Sequence, residues 1–203
     1  MSRNKPAPDF VPELVVLAAS TGGPVALEKI ITALKKDFSI PIVVVQHMPS
    51  HFTAAFAKAL DKKSELHVKE AQDGDVPAAG SVYIAPGGCH LKLTQELKCA
   101  LALSDDALVN GIRPAVDVLL GSIATSRFID GIVVVILTGM GADGLAGLQN
   151  LSPQKQVYCI VQDEITSTVY GMPRRIVEAK LADEVLPLPA IAARLSVLVR
   201  KES

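Results

Sequence analysis

Leu14-Val15-Val16-Leu17-Ala18-Ala19-Ser20-Thr21-Gly22-Gly23-Pro24 is the stretch that decides how this 203-residue chain folds. Six apolar residues run without interruption, as in a strand buried on both faces of a sheet. Small residues and two glycines then turn the chain. Pro24 opens a helix with Leu27, Ile30, Ile31 and Leu34 at i, i+3, i+4 and i+7. Lys35 and Lys36 fall near the expected helix end, where the helix dipole favours cations. A buried strand, a tight turn and an amphipathic helix make one unit of a parallel α/β fold.

The same alternation continues outward from this unit. Ile40–Gln46 reads as a second strand, and Phe52, Phe56 and Leu60 mark the face of the next helix. From Val68 to Leu103 the pattern shortens. Ser81–Ala85 reads as a strand, and His90–Thr94 with Leu97–Leu103, joined by a turn near Gln95 and Glu96, as an antiparallel hairpin on a sheet edge. Pro114 starts a helix bearing Val116, Leu119, Leu120 and Ile123 on one face. Gly131–Leu137 and Val157–Val161 are two more buried strands, with a short helix between them that Ser152-Pro153 cuts. Pro173 opens a further helix, and Ile191, Leu195 and Leu198 mark a terminal one. The expected fold is α/β and doubly wound, a mostly parallel sheet with helices on both faces and an antiparallel edge hairpin. Residues 1–12, with Pro6, Pro8 and Pro12, read as a flexible leader, and residues 13–203 as one domain.

Composition removes several functions. Lys plus Arg is 20 and Asp plus Glu is 21, a net charge of −1, which excludes a strongly basic nucleic-acid binder. With no Trp, three Tyr and five Phe, there is little aromatic surface on which to stack single-stranded bases. A hydrophobic fraction of 49% and a mean hydropathy of +0.35 exclude intrinsic disorder. No apolar run approaches the roughly 18 residues of a membrane span, and the polar, proline-bearing start lacks a secretory signal. Cys89, Cys99 and Cys159 form no CxxC pair, so reduced thiols in a cytoplasm-like compartment are expected, without a structural zinc site.

In a parallel α/β sheet, ligands bind beyond the carboxyl ends of the strands, so the loops after the apolar runs are where chemistry is sought. After the first strand, Ala18-Ala19-Ser20-Thr21-Gly22 approximates the nucleophile elbow G-x-S-x-G, with Ala18 at the first glycine position. Ser20 there is either a nucleophile, with N–H groups of the following helix ready for an oxyanion, or a helix cap beside a phosphate-binding turn. The second strand ends at Gln46-His47-Met48-Pro49. His47 and His51 suggest a metal pair, but Pro49 between them disrupts helical i, i+4 geometry and no third ligand is evident. The Gly131–Leu137 strand ends in Thr138-Gly139-Met140-Gly141-Ala142-Asp143-Gly144. Asp143 is either a turn aspartate or the orienting carboxylate of a Ser-His-Asp set, a triad being recognised by roles rather than chain order. Gly139, Gly141 and Gly144 also spell G-x-G-x-x-G, and Asp163 lies about 20 residues on, which leaves a non-catalytic nucleotide-binding or scaffold domain as the alternative. Against it, only about one further strand–helix unit follows the motif, and a dinucleotide half-domain needs more.

Taken in order, Ala19-Ser20-Thr21-Gly22-Gly23, Gln46-His47-Met48-Pro49, Tyr83-Ile84-Ala85-Pro86-Gly87-Gly88, Arg113-Pro114-Ala115-Val116-Asp117, Leu137-Thr138-Gly139-Met140-Gly141, Asp143-Gly144, Gln162-Asp163-Glu164 and Tyr170-Gly171-Met172-Pro173 resemble the catalytic domain of the chemotaxis CheB-type methylesterases. The resemblance spans nearly the whole chain. It implies a catalytic triad of Ser20, His47 and Asp143, with Thr21, Gly22, Met140 and Gln46 as substrate or oxyanion candidates and no cofactor or metal. It further implies cytoplasmic hydrolysis of glutamate methyl esters on chemoreceptor cytoplasmic domains through an acyl-enzyme, together with glutamine deamidation. Arg113 and Asp117 are read as structural or cleft-lining, a helix start and a helix-facing ion pair, and Tyr170–Pro173 as shaping a helix start at the active edge. Departures from the family pattern are Ala18, His51 after the His47 turn, and Cys89 before His90. The response-regulator receiver domain usual in the family is expected to act in trans or to be missing in cis, since only about a dozen residues precede the first strand.

Overall fold

The computed structural model describes residues 10–94 and 101–199. Residues 1–9 of the expected leader, the turn at Gln95 and Glu96, residues 97–100 of the expected Leu97–Leu103 strand, and Cys99 lie outside the described residues.

The chain runs β1 (Leu14–Ala19), α1 (Gly23–Ile31), β2 (Ile42–Gln46), α2 (Ser50–Asp61), β3 (His67–Glu70), β4 (Ser81–Ile84), β5 (His90–Leu93), β6 (Leu101–Ser104), α3 (Val116–Thr125), β7 (Gly131–Ile136), α4 (Leu145–Leu151), β8 (Gln156–Gln162), α5 (Met172–Glu178), β9 (Glu184–Leu186) and α6 (Leu188–Val199). Seven strands form one parallel sheet in the order β3-β4-β2-β1-β7-β8-β9. The chain leaves β1 toward β2 on one side, while β7, β8 and β9 build outward on the other. The order therefore reverses between β1 and β7, and the crevice at their carboxyl ends is where a doubly wound sheet binds ligand.

All six residues of β1 and of β7 are buried. Alternate residues feed two separate cores. Val15, Leu17 and Ala19 pack with Leu27, Ile30 and Ile31 of α1, Ala57 and Leu60 of α2, and Ile191, Leu195 and Leu198 of α6. Leu14, Val16 and Ala18 pack with Leu119, Leu120 and Ile123 of α3, Leu148 and Leu151 of α4, and Met172 and Ile176 of α5. Each wholly buried aliphatic side chain stabilises by about 1.5–3 kcal/mol, against a total stability of about 5–15 kcal/mol. The central strands thus cannot spare their apolar residues, and chemistry has to sit at the strand ends.

Several local expectations change on meeting the structure. The hairpin is not an edge of the main sheet. β5 and β6 make a separate antiparallel pair, and Leu91 and Leu93 join the core on the α3 side. Ser81–Ile84 is a strand as expected, and it lies inside the sheet, parallel to and between β2 and β3. In α2 the buried face is Thr53, Ala57 and Leu60, while Phe52 is exposed. Helix α1 ends at Ile31, where the Thr32 hydroxyl bonds the Glu28 carbonyl at 2.7 Å, so Lys35 and Lys36 lie beyond it and Lys29 is the cation in its last turn. The three-residue β9 has no sequence signal of its own. Phe10, within the expected leader, packs against the core and over Gly131.

Candidate active site

Register brings the first two candidate residues together before any side chain is considered. Ala19 and Gln46 are paired across β1 and β2, so Ser20 and His47 are the next residue on each strand. The His47 N–H donates to the Ala19 carbonyl at 3.1 Å and the Ser20 N–H to the Thr138 carbonyl at 3.0 Å, fixing both turns to the end of the sheet. Asp143 arrives on the loop after β7, the other neighbour of β1. His47 Nε2 lies 2.7 Å from Asp143 Oδ2. All three residues thus gather at the carboxyl edge, astride the reversal in strand order.

Asp143 is only 3% exposed and fully engaged. Besides His47, its Oδ2 accepts the Val116 N–H at 2.6 Å, and its Oδ1 accepts those of Asp117 at 3.0 Å and Gly144 at 3.1 Å. Burial pushes its carboxyl up, but the hydrogen bonds from His47, Asp117 and Val116 outweigh burial and hold it below the usual carboxylate range. An ionised carboxylate only accepts, so the proton in this bond sits on His47 Nε2, and Nδ1 is the ring nitrogen not held by Asp143. Among the described residues the Ser20 hydroxyl has no hydrogen bond, to His47 or to any other group. Catalytic bonds of this kind commonly tighten only around a bound reactant.

The glycine loop leans on Ser20. A Cβ at Gly139 would sit 2.8 Å from Ser20 Cβ and 2.5 Å from Met172 Sδ. The Gly171 and Met172 N–H groups grip the Gly139 carbonyl at 3.0 and 2.8 Å. That is how Tyr170-Gly171-Met172-Pro173 shapes this edge, with α5 starting against the loop. Met140 follows directly and is exposed. Among the described residues, the N–H groups of Thr21, next to Ser20 in the chain, and Met140, next to Gly139, have no acceptor. Gly22, with φ of 82°, takes the left-handed conformation that lets α1 start immediately after the serine.

Gln46 is not in the cleft. It is buried beneath the turns, and its Nε2 donates to the carbonyls of Ser20 and His47, both at 3.0 Å. It ties the Ser20 and His47 turns together, and among the described residues its Oε1 has no partner. Thr138 and Gln162 do similar work. Thr138 Oγ1 donates to the Thr21 carbonyl at 2.9 Å and accepts the Val169 N–H at 2.9 Å, and Gln162 Oε1 accepts the Thr138 N–H at 2.8 Å. Asp117 and His90 are further supports. His90 is wholly buried, with Nδ1 accepting the Ala115 N–H at 3.2 Å and Nε2 donating to the Ala107 carbonyl at 3.1 Å. A polar residue at the end of an apolar run is the signal that could have singled out Gln46, Thr138 and Gln162. Asp117 and His90 act through backbone partners distant in sequence and leave no such trace.

Other expectations resolve locally. Arg113 donates to the Asp105 and Asp106 carbonyls rather than pairing with Asp117. His51 is exposed on the first turn of α2, its ring 4.1 Å from that of Phe52. Cys89 is a partly buried free thiol, and Cys159 is sealed in the core, where burial pushes its thiol above any physiological range. The nucleotide-binding alternative meets a chemical obstacle. The start of α4, where a pyrophosphate would rest, already holds the carboxylates of Asp117 and Asp143 on its N–H groups.

A doubly wound parallel sheet with Ser, His and Asp at its switch point defines an α/β protein with a hydrolase-like site. More specifically, the chain belongs to the CheB methylesterase family, whose family model matches residues 15–195. It is 45% identical over 183 residues to the protein-glutamate methylesterase/protein-glutamine glutaminase 1 of Saccharophagus degradans, covering 90% of this chain and 49% of that protein. It is 44% identical over 187 residues to the protein-glutamate methylesterase/protein-glutamine glutaminase of Geobacillus kaustophilus, covering 92% and 53%. The chain thus spans about half the length of the curated relatives it matches. Its fold matches the crystal structure of the Thermotoga maritima CheB methylesterase catalytic domain with a TM-score of 0.88 and 43% identity, over 94% of this chain and all of that one.

Proposed function

We propose that this chain is a serine hydrolase that removes methyl esters from glutamate side chains in the cytoplasmic domains of chemoreceptors, and that the same site deamidates receptor glutamines. The observation that carries the reading is the 2.7 Å contact of His47 Nε2 with a buried, ionised Asp143, at a strand end paired in register with that of Ser20. Family membership and the names of the relatives support the substrate.

His47 Nδ1 takes the Ser20 proton as Ser20 Oγ attacks the ester carbonyl. The tetrahedral oxyanion lies toward the Thr21 and Met140 N–H groups, which have no acceptor among the described residues. The C–O bond to the methoxy group breaks, His47 returns the proton, and methanol leaves an acyl-Ser20. Water, deprotonated by His47, then attacks the acyl carbonyl and releases glutamate and free Ser20. For a glutamine the leaving group is ammonia. Asp143 stabilises the imidazolium in every step.

Phe52, Met140 and Ile165, all exposed, stand beyond the ends of β2, β7 and β8, a composition suited to a protein substrate rather than a small polar one. A cytoplasmic setting, and regulation by a receiver domain in cis or in trans, belong to the same proposal. Methanol release from a methylated receptor fragment tests it. Wild-type turnover that Ser20→Ala removes supports the reading. A folded wild-type protein that releases no methanol, or a Ser20→Ala variant that releases it normally, overturns it.

A further inference from the structure

Two aspartates hold the starts of each other's helices. Asp143, just before α4, accepts the N–H groups of Val116 and Asp117, the first two residues of α3. Asp117, on that first turn of α3, returns the bonds. Its Oδ1 accepts the N–H of Gly144 at 2.9 Å and of Gly147 at 2.7 Å, in the first turn of α4. Gly144 shares its N–H between the two carboxylates, the bond to Asp143 being 3.1 Å. Helix starts leave such N–H groups without partners, and here each is satisfied by the acid of the opposite helix.

We infer that Asp117 is a positioning residue of the hydrolytic site, acting on His47 through Asp143. The inference rests on the proposed triad. The loop that carries Asp143 turns at glycines: Gly141 and Gly144 have φ of 92° and 96°, a left-handed region that glycine enters at little cost. The Asp117 oxygen pins that loop at the residue after Asp143 and again one helical turn on. The approach is close, since a Cβ at Gly147 would lie 2.8 Å from Leu120 Cβ and 3.1 Å from Asp117 Oδ1. The far side of the clamp is also held, because His90 anchors Ala115 at the α3 N-cap. Among the described residues Asp117 has no hydrogen bond to Ser20 or His47. It determines where the Asp143 oxygens stand, and both of its bonds use one oxygen, so an uncharged acceptor of the same shape can replace it.

The test compares Asp117→Ala and Asp117→Asn in methanol release from a methylated receptor fragment, with thermal melts and the low-field proton resonance of the His47 Nε2–H bond to Asp143. Asp117→Ala should lower kcat about 10- to 100-fold with KM within about threefold, and should broaden or remove the resonance, because misplacing a catalytic group by around 1 Å costs about 10²-fold. Asp117→Asn should restore the resonance and kcat to within about threefold of wild type. If Asp117→Ala does not fold, Asp117→Ser, whose shorter side chain cannot span both N–H groups, takes its place with the same expectation. A folded Ala or Ser variant with unchanged kcat and resonance overturns the inference, and so does an Asn variant as impaired as Ala. Ser20→Ala and His47→Ala run in parallel. If they keep turnover the triad itself is wrong, whereas their loss beside an unaffected Asp117→Ala rejects this inference alone.

Discussion

His47 Nε2 and Asp143 Oδ2 stand 2.7 Å apart although 96 residues separate them in the chain. The sheet makes the meeting possible, since β2 and β7 are the two neighbours of β1 and run the same way. The contact gives Nε2 to the carboxylate, and in the proposed triad Nδ1 then serves Ser20. It also places the negative charge where the imidazolium of the transition state needs it.

The three residues should fail unequally when replaced. In the proposed mechanism Ser20 forms the covalent bond and His47 moves the proton, so Ser20→Ala and His47→Ala should each cost about 10⁶-fold in kcat. Asp143→Asn should cost about 10⁴-fold, since the carboxylate orients and stabilises rather than reacts. The losses should not add, because the residues act as one unit. Initial rates of methanol release from single and double variants, with circular dichroism to confirm folding, decide this.

Gly139→Ala should separate activity from fold. The added methyl would meet Ser20 Cβ at 2.8 Å and Met172 Sδ at 2.5 Å. A small-to-large change in a packed site costs about 1–3 kcal/mol, within the stability of a domain this size. The variant should therefore fold with a lowered melting temperature and lose most of its turnover through a displaced Ser20. Unchanged kcat in a folded Gly139→Ala variant would show that the loop does not bear on the nucleophile.

The two paired aspartates should respond to pH with opposite signs. Asp143 has a lowered folded pKa, through hydrogen bonds that outweigh its burial. Its stabilising contribution is full above the unfolded value of about 3.9 and fades as pH falls through the folded value. Asp143→Asn should thus be destabilising at neutral pH, by an amount that shrinks in acid. Asp117 is raised, by burial first and then by the Asp143 charge, against its bonds from Gly147 and Gly144. Its ionised form costs stability at neutral pH, so Asp117→Asn should raise the melting temperature there, the gain vanishing below about pH 3.9. Melting curves of both variants from neutral to acid pH read this directly, and shifts of the same sign for the two would contradict it.

No dinucleotide should bind the Gly139–Gly144 loop. Its glycines serve a turn against Ser20, and its helix start is already filled by two carboxylates. Titration with NAD, NADP or FAD should show no saturable binding, and a micromolar dissociation constant for any of them would reverse the reading of this loop.

The central strands and their turns were legible because both leave short-range marks. Leu14–Ala19 announces a strand buried on both faces by its unbroken apolar run, and Ser20, His47 and Asp143 each stand a few residues beyond such a run. The order of strands was not legible, because pairing is a long-range property. Nothing local in His90–Leu93 distinguishes a separate antiparallel pair from an edge of the main sheet, and β9 has only three residues. The supports of the site escaped for the same reason. Gln46 looks like a cleft residue from its neighbour His47, yet its buried amide faces backbone carbonyls. The partners of Asp117 are N–H groups 27 and 30 residues away, which no spacing within α3 reveals.

The most direct measurement on the central claim is the site at which a serine-reactive phosphonate attaches. Mass spectrometry after incubation should find the adduct on Ser20 alone among the serines, and His47→Ala should abolish it, since the attacking hydroxyl depends on the His47 base. An adduct on another serine, or labelling of Ser20 at the same rate in His47→Ala, would contradict the account.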